Sequence, residues 1–201
     1  MDKKKSFNLL GSWNAVKQDI NKLTKLALRY KTNKTPQSGK SYTDFYYNMF
    51  ADNAGGVKKV LQIGLGNQEK NSLYMWKDFF PKAKVYGISD EKKYVFSGNR
   101  IKTFLSGRTD ATGLKNIIDK IGSDIDLVVD EGTRTTKEIL ASFQAVMPLL
   151  KKDITYIIEN TDRYQAAEIA DNLKNYNVNI LRHHRMISRY DRLITVTNKT
   201  A

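Results

Sequence analysis

Two groups of residues in this chain have the types and spacing to do chemistry. The first is Val60-Leu-Gln-Ile-Gly-Leu-Gly66, a short apolar run that ends in two glycines. A second apolar run ends about two dozen residues later, at Val85-Tyr-Gly-Ile-Ser-Asp90. A glycine turn after a buried strand lets a ligand approach the backbone, and a polar or acidic tip on the next strand can hold a ribose. Together they point to a nucleoside-bearing cofactor over the edge of a parallel sheet. Glu69 stands where a Gly-x-Gly-x-x-Gly pattern would need its third glycine, so the turn is a poor dinucleotide site. It fits the single nucleoside of S-adenosylmethionine better. Gln62, Gly64 and Gly66 would then meet the cofactor, with Ser89 or Asp90 at the ribose and Gly107, Thr109 and Asp110 near the adenine.

The second group is acidic. Asp130 and Glu131 end one apolar run, and Glu159, Asn160 and Asp162 end or follow another. Carboxylates gathered at neighbouring strand tips suit a divalent cation, a general base, or hydrogen bonds to substrate hydroxyls. Each acid taken singly could as well cap a following helix or pair with a lysine.

Alternating elements must position these groups. Strands are expected at 57–63, 84–88, 101–105, 125–130 and 154–159, with helices at 72–80, 112–121, 135–150 and 166–176. Strands alternating with helices imply right-handed parallel crossovers and a three-layer sandwich. Two last strands, near 178–181 and 193–197, have only a loop between them and must form an antiparallel hairpin. The expected fold is therefore α/β and Rossmann-like, with seven mostly parallel strands and an antiparallel last one. Residues 56–201 form this domain. Residues 1–55 read as a helical extension and lid: Val16, Ile20, Leu23, Ala27 and Tyr30 mark one helical face, with Ser12 or Asn14 as its cap. A loop over 31–40 and a helix over 42–50 follow.

Composition sets the remaining bounds. A length of 201 residues fits one domain with a real core. The chain has no cysteine, which removes disulfides, thiolate metal sites and a cysteine nucleophile. No apolar run is long enough to span a bilayer, and the basic start lacks the apolar stretch of a signal peptide, so a cytoplasmic setting is expected. The net charge of +13 suits either a solvated lysine-rich surface or a polyanionic partner. The basic residues are dispersed, and the strand-tip acids would repel phosphates. Nucleic acid is therefore not the expected partner. His183 and His184 read as surface or substrate-rim residues, and Trp76, Phe79 and Phe80 as core.

Longer motifs carry a resemblance. Tyr30-Lys-Thr-Asn-Lys34 with Ser41-Tyr-Thr-Asp-Phe-Tyr46, Leu61-Gln-Ile-Gly-Leu-Gly66, Ser72-Leu-Tyr-Met-Trp-Lys-Asp-Phe-Phe-Pro-Lys-Ala-Lys-Val-Tyr-Gly-Ile88, Asp130-Glu-Gly-Thr-Arg134 and Tyr156-Ile-Ile-Glu-Asn160 stand in order. Over about residues 25–165 they resemble the sugar O-methyltransferases of macrolide tailoring and rhamnosyl methylation, close to the cephalosporin-hydroxylase-like group. The resemblance implies methyl transfer from S-adenosylmethionine to a sugar hydroxyl, such as that of a rhamnose in a glycan. It also implies a metal position at Glu131, Glu159 and Asn160. The departures are specific. Gln62 and Ser89 replace acids, Asn160 replaces a third carboxylate, and Arg134 replaces the histidine tied to proton removal. An arginine beside the acids supplies fixed charge, so no metal is expected; magnesium would require a site kept by Glu131 and Glu159. Asp130 and Glu131 are then the candidate bases, oriented by Arg134. Glu159, Asn160 and Asp162 would hold neighbouring hydroxyls, and Lys34, Ser41 and Tyr42 would belong to the lid. An RNA methyltransferase or a non-catalytic cofactor-binding module are the competing readings.

Overall fold

The structure, a computed structural model, describes residues 20–38, 40–131, 135–151, 154–182 and 192–199. The expectations for Ser12, Asn14, Val16, Arg134, His183 and His184 fall outside these residues. Eight strands occur among them: β1 Lys59–Ile63, β2 Lys84–Ser89, β3 Ser97–Gly98, β4 Ile101–Leu105, β5 Leu127–Asp130, β6 Thr155–Thr161, β7 Tyr176–Arg182 and β8 Arg192–Asn198. They form one sheet in the order β3-β4-β2-β1-β5-β6-β8-β7. The expected count of seven is one short. β3 has only two residues, too few to show an alternation, and pairs antiparallel with β4.

β4, β2, β1, β5 and β6 are mutually parallel, as the intervening helices require. The hairpin of β7 and β8 is antiparallel, and β8 also runs antiparallel to β6. The reversed strand thus lies inside the sheet, between β6 and β7. Strand order runs outward from β1 in both directions, so β1 and β5 flank the topological switch point where α/β sheets hold ligands.

The pleat sorts the core into two layers. Val60, Leu127, Val129 and Ile157 pack against α1 Lys22–Arg29, α2 Tyr42–Phe50 and α3 Glu69–Phe79. Leu61, Ile63, Val128, Tyr156 and Ile158 pack against α4 Ala111–Ile121, α5 Thr136–Val146 and α6 Arg163–Asn172. Successive side chains leave a strand on opposite faces, so both faces of these central strands are apolar.

Helix boundaries follow local chemistry. α1 begins at Asn21, whose side chain accepts from the Thr24 amide, and Ile20 is exposed rather than part of the buried face. α5 stops at Val146, and the residues expected to continue it form a 3-10 turn at Met147–Leu149. Pro148 has no amide to extend the ladder. α6 begins earlier than expected because Asp162 and Gln165 form a reciprocal capping box.

Candidate active site

The alternation that builds the core also builds the site. Asp130 ends β5 on the α4–α6 face, so Glu131, one residue on, turns to the other. Glu159 on β6 points to that same α1–α3 side, where Gln62 of β1 also lies. Ile158 pairs with Asp130 in the ladder. One step further, Glu131 and Glu159 come abreast.

Lys34 joins them. Its ammonium donates to both Glu131 Oε1 and Glu159 Oε2, and its side chain is fully buried. The remaining Glu159 oxygen accepts from Tyr46 Oη at 2.7 Å. Gln62 Nε2 donates to Glu131 Oε1 at 3.3 Å and to the Glu69 carbonyl at 3.1 Å. Trp76 Nε1 donates to Gln62 Oε1 at 2.9 Å. Indole can only donate, so it fixes which end of the Gln62 amide faces the carboxylate. Trp76 is core, as expected, and also orients this network.

Asn160 closes the cluster. Its Nδ2 donates to Glu131 Oε2 at 3.2 Å, and its Oδ1 accepts from Lys40 Nζ at 2.6 Å. Its amide donates to Tyr42 Oη at 3.1 Å. Asn160 has φ of 61°, and the β6–β8 register shifts between Ile158 and Thr161. Asn tolerates this left-handed conformation better than most residues. The kink lets Glu159 and Asn160, adjacent in sequence, reach the same cluster.

Asp130 forms a second, separate pair. Its carboxylate accepts from Arg108 Nη1 at 2.9 Å and from Tyr156 Oη at 2.8 Å. Arg108 Nη2 also donates to the Glu131 carbonyl at 3.3 Å. The guanidinium lies against the glycine turn, in the space a Cβ at Gly64 would take. Gly64 has φ of +86°, a conformation that glycine adopts freely. A Cβ there would also lie 3.5 Å from that of Glu131, so the acid adjoins the turn directly.

Burial and neighbours set the protonation of these groups. Burial and the Glu131 charge raise Glu159 to about 7, against the pull of Lys34 and Tyr46. Burial pushes Glu131 up as well, but Lys34 outweighs it and holds Glu131 below its ordinary value. Burial also raises Asp130, with Arg108 and Tyr156 opposing. For Lys34, burial works against the charge, but the two glutamates outweigh it and raise its pKa.

The other expected site residues have definite places. Gln62 is fully buried, and its amide is spent inside the acidic cluster. Ser89 is buried, donating to the Leu65 carbonyl at 2.9 Å and accepting from the Glu91 amide at 3.1 Å. That leaves Asp90, which is exposed, as the polar group at the tip of β2. Gly66 and Gly107 flank the same edge, and Thr109 is exposed. Asp110 caps α4 by accepting from the Gly113 amide at 2.9 Å. Asp162 is spent on the Tyr164 and Gln165 amides, both at 2.9 Å, so it serves α6 rather than the cluster. Lys34, Ser41 and Tyr42 are all fully buried, and Tyr42 and Tyr46 pack in the core beside Trp76. Helices α1 and α2 are thus a built-in layer of the fold.

Sequence reasoning missed Tyr46, Lys40 and the role of Arg108. Tyr42 and Tyr46 lie four residues apart on one helical face, a spacing that could have flagged the pair.

A mostly parallel sheet in this order, with a reversed strand near one edge and a glycine turn at the switch point, defines the class I methyltransferase fold. Solved structures agree. MycE methyltransferase from the mycinamycin biosynthetic pathway, in complex with Mg, SAH and mycinamycin VI, superposes with a TM-score of 0.74 at 23% identity. The match covers 90% of this chain and 54% of that one. A putative caffeoyl-CoA O-methyltransferase from Staphylococcus aureus gives 0.58 at 13% identity, over 89% and 93%. More particularly, the chain is a relative of sugar O-methyltransferases. Mycinamicin VI 2''-O-methyltransferase of Micromonospora griseorubida is 32% identical over 145 residues, 69% of this chain and 35% of that protein. The 8-demethyl-8-alpha-L-rhamnosyl tetracenomycin-C 2'-O-methyltransferase of Streptomyces olivaceus is 29% identical over 148 residues, 71% and 38%. The resemblance read from the motifs is thereby borne out. The chain spans little more than a third of the length of these curated relatives. No protein-family model matches it.

Proposed function

We propose that this chain transfers a methyl group from S-adenosylmethionine to a hydroxyl of a deoxysugar such as rhamnose, carried on a larger glycoside or glycan. The observation that carries this reading is the adjacency of Glu131 to the Gly64 turn. It sets the Glu131 side chain beside the backbone that a nucleoside cofactor needs to approach. A relative named for 2'-O-methylation of a rhamnosyl tetracenomycin supports the substrate class.

The residues present fit the cofactor. Gly64 and Gly66 add no side chain of their own to the turn, where Arg108 and Glu69 take the adjoining space, and Asp90 stands exposed at the next tip. The cofactor would supply an electrophilic methyl group on sulfur. The protein's tasks are to align the sugar oxygen with that methyl and to take up its proton as the new O–C bond forms and the S–C bond pair returns to sulfur. Glu131 suits the proton transfer: Lys34 favours its ionised form, and it is 5% exposed where Asp130 is wholly enclosed. Asp130 instead holds Arg108, and Glu159 holds Lys34 and Tyr46. Among the described residues no helix is long and apolar enough to cross a membrane, and a cytoplasmic setting is part of this reading.

The test is methyl-labelled S-adenosylmethionine incubated with rhamnosyl and other deoxysugar glycosides, with structured RNA in parallel. Label on the glycoside supports the reading. Label on RNA alone would favour the nucleic-acid alternative. Cofactor binding without transfer to any acceptor would favour a binding module.

A further inference from the structure

The sequence resemblance implies a divalent ion at Glu131, Glu159 and Asn160, and the structures of MycE contain Mg. The residues of this chain do not fit one. We propose that the Lys34 ammonium is the resident cation of this cluster and takes the place of a divalent metal ion.

The hydrogen-bond inventory carries the argument. Each of the four carboxylate oxygens already accepts from a protein donor. Glu131 Oε1 accepts from Lys34 and Gln62, and Glu131 Oε2 from Asn160. Glu159 Oε1 accepts from Tyr46, and Glu159 Oε2 from Lys34. Asn160 stands where the resemblance has its third carboxylate, yet it turns its Nδ2 donor to Glu131. Its oxygen, the only atom of that amide able to bind a cation, faces Lys40 at 2.6 Å. Magnesium and calcium take about six to eight oxygen ligands, mostly carboxylates, carbonyls and water. Among the described residues, no group of three acids or histidines is placed to hold an ion.

Lys34 cannot easily yield the position. Its side chain is fully buried, and its own backbone is tied, the carbonyl accepting from the Thr43 amide at 3.1 Å. An entering ion would meet two lysine ammonium groups and would have to part Lys34 from its two carboxylates. A buried charge left without its partner is strongly destabilising. Lys34 is thus a positioning residue. It holds the carboxylates of Glu131 and Glu159 together, and the cation comes from the segment that joins α1 to α2.

The inference concerns the same site as the proposed activity, but its test reads ion binding and stands apart from methyl transfer. Manganese would be titrated into the intact chain and the free ion followed by electron paramagnetic resonance. We expect the wild type to leave the ion free and Lys34→Met, which strands two acids, to take it up. Stoichiometric uptake by the wild type would overturn the proposal. So would a folded Lys34→Met chain that binds none, since its acids would then not be cation-receptive. If that variant does not fold, the thermal midpoint of the wild type decides. It should be equal in magnesium and in chelator, and a rise with magnesium would overturn the inference.

Discussion

Arg108 lays its guanidinium over Gly64, in the space that a side chain at position 64 would need. The two residues belong to different crossovers, after β4 and β1, and the contact is held by the Arg108–Asp130 ion pair. The glycine turn is therefore covered by a cation in this arrangement.

A ligand that takes this space has to displace that group. Apparent affinity falls by the fraction of molecules in the open arrangement. Arg108→Ala should bind S-adenosylhomocysteine about threefold to tenfold more tightly, read by calorimetry. Weaker binding would mean that the guanidinium contributes to the ligand rather than competing with it.

Gly64→Ala should lose both binding and stability. The left-handed backbone at φ +86° strains any side chain, and the new methyl collides with Arg108. A cost of about 1–3 kcal/mol is expected from strain alone. Denaturant unfolding measures that part, and titration with S-adenosylhomocysteine measures the loss of affinity.

Glu131→Gln should lower kcat by about two to four orders of magnitude if the carboxylate accepts the sugar's proton. Affinity for S-adenosylhomocysteine should hardly change. A variant with near wild-type kcat would move the base elsewhere. Asp130→Asn tests a different role: it weakens the anchor of Arg108 and should change cofactor affinity at least as much as kcat.

The far end of the sheet supplies a pH-dependent contribution to stability. Burial pushes the Asp126 carboxyl up, but Lys151 and the amides of Lys58 and Lys59 outweigh it and hold it below its ordinary value. A depressed acid adds stability above its unfolded value, about 4, and loses it as pH falls through the folded value. Asp126→Asn should therefore be less stable by about 1 kcal/mol near neutrality. The gap to wild type should narrow on acidification. Chemical denaturation across that range checks it, and a constant gap would refute the assignment.

The fold was legible because β1, β5 and β6 are continuous apolar runs, buried on both faces, and α4 has a clear helical period. β3 was not, since two residues carry no period. The strand-tip acids could be found by position, but their partners could not. Lys34 lies 97 residues before Glu131, and nothing local marks a lysine as buried. The fixed charge was assigned to Arg134, which lies outside the described residues, whereas Lys34 and Arg108 supply it among those described. Asp162 shows the opposite case. It looked like part of the acid group, yet its spacing to Gln165 is a capping signature, and local chemistry claims it.

The placement of β8 has a consequence for biosynthesis. β6 carries Glu159 and Asn160 at its end, and its second neighbour in the sheet is β8, the last in sequence of the described strands. A nascent chain that has reached β7 already contains every residue named in the acidic cluster. Its β6 is still an open edge, with unpaired amides and carbonyls able to template pairing with another chain. Only the arrival of Leu193, Ile194 and Val196, all buried, seals that edge. Assembly of the acidic cluster is thus tied to the synthesis of β8, and a chain stalled before it has the cluster's residues without the sheet that brings them together.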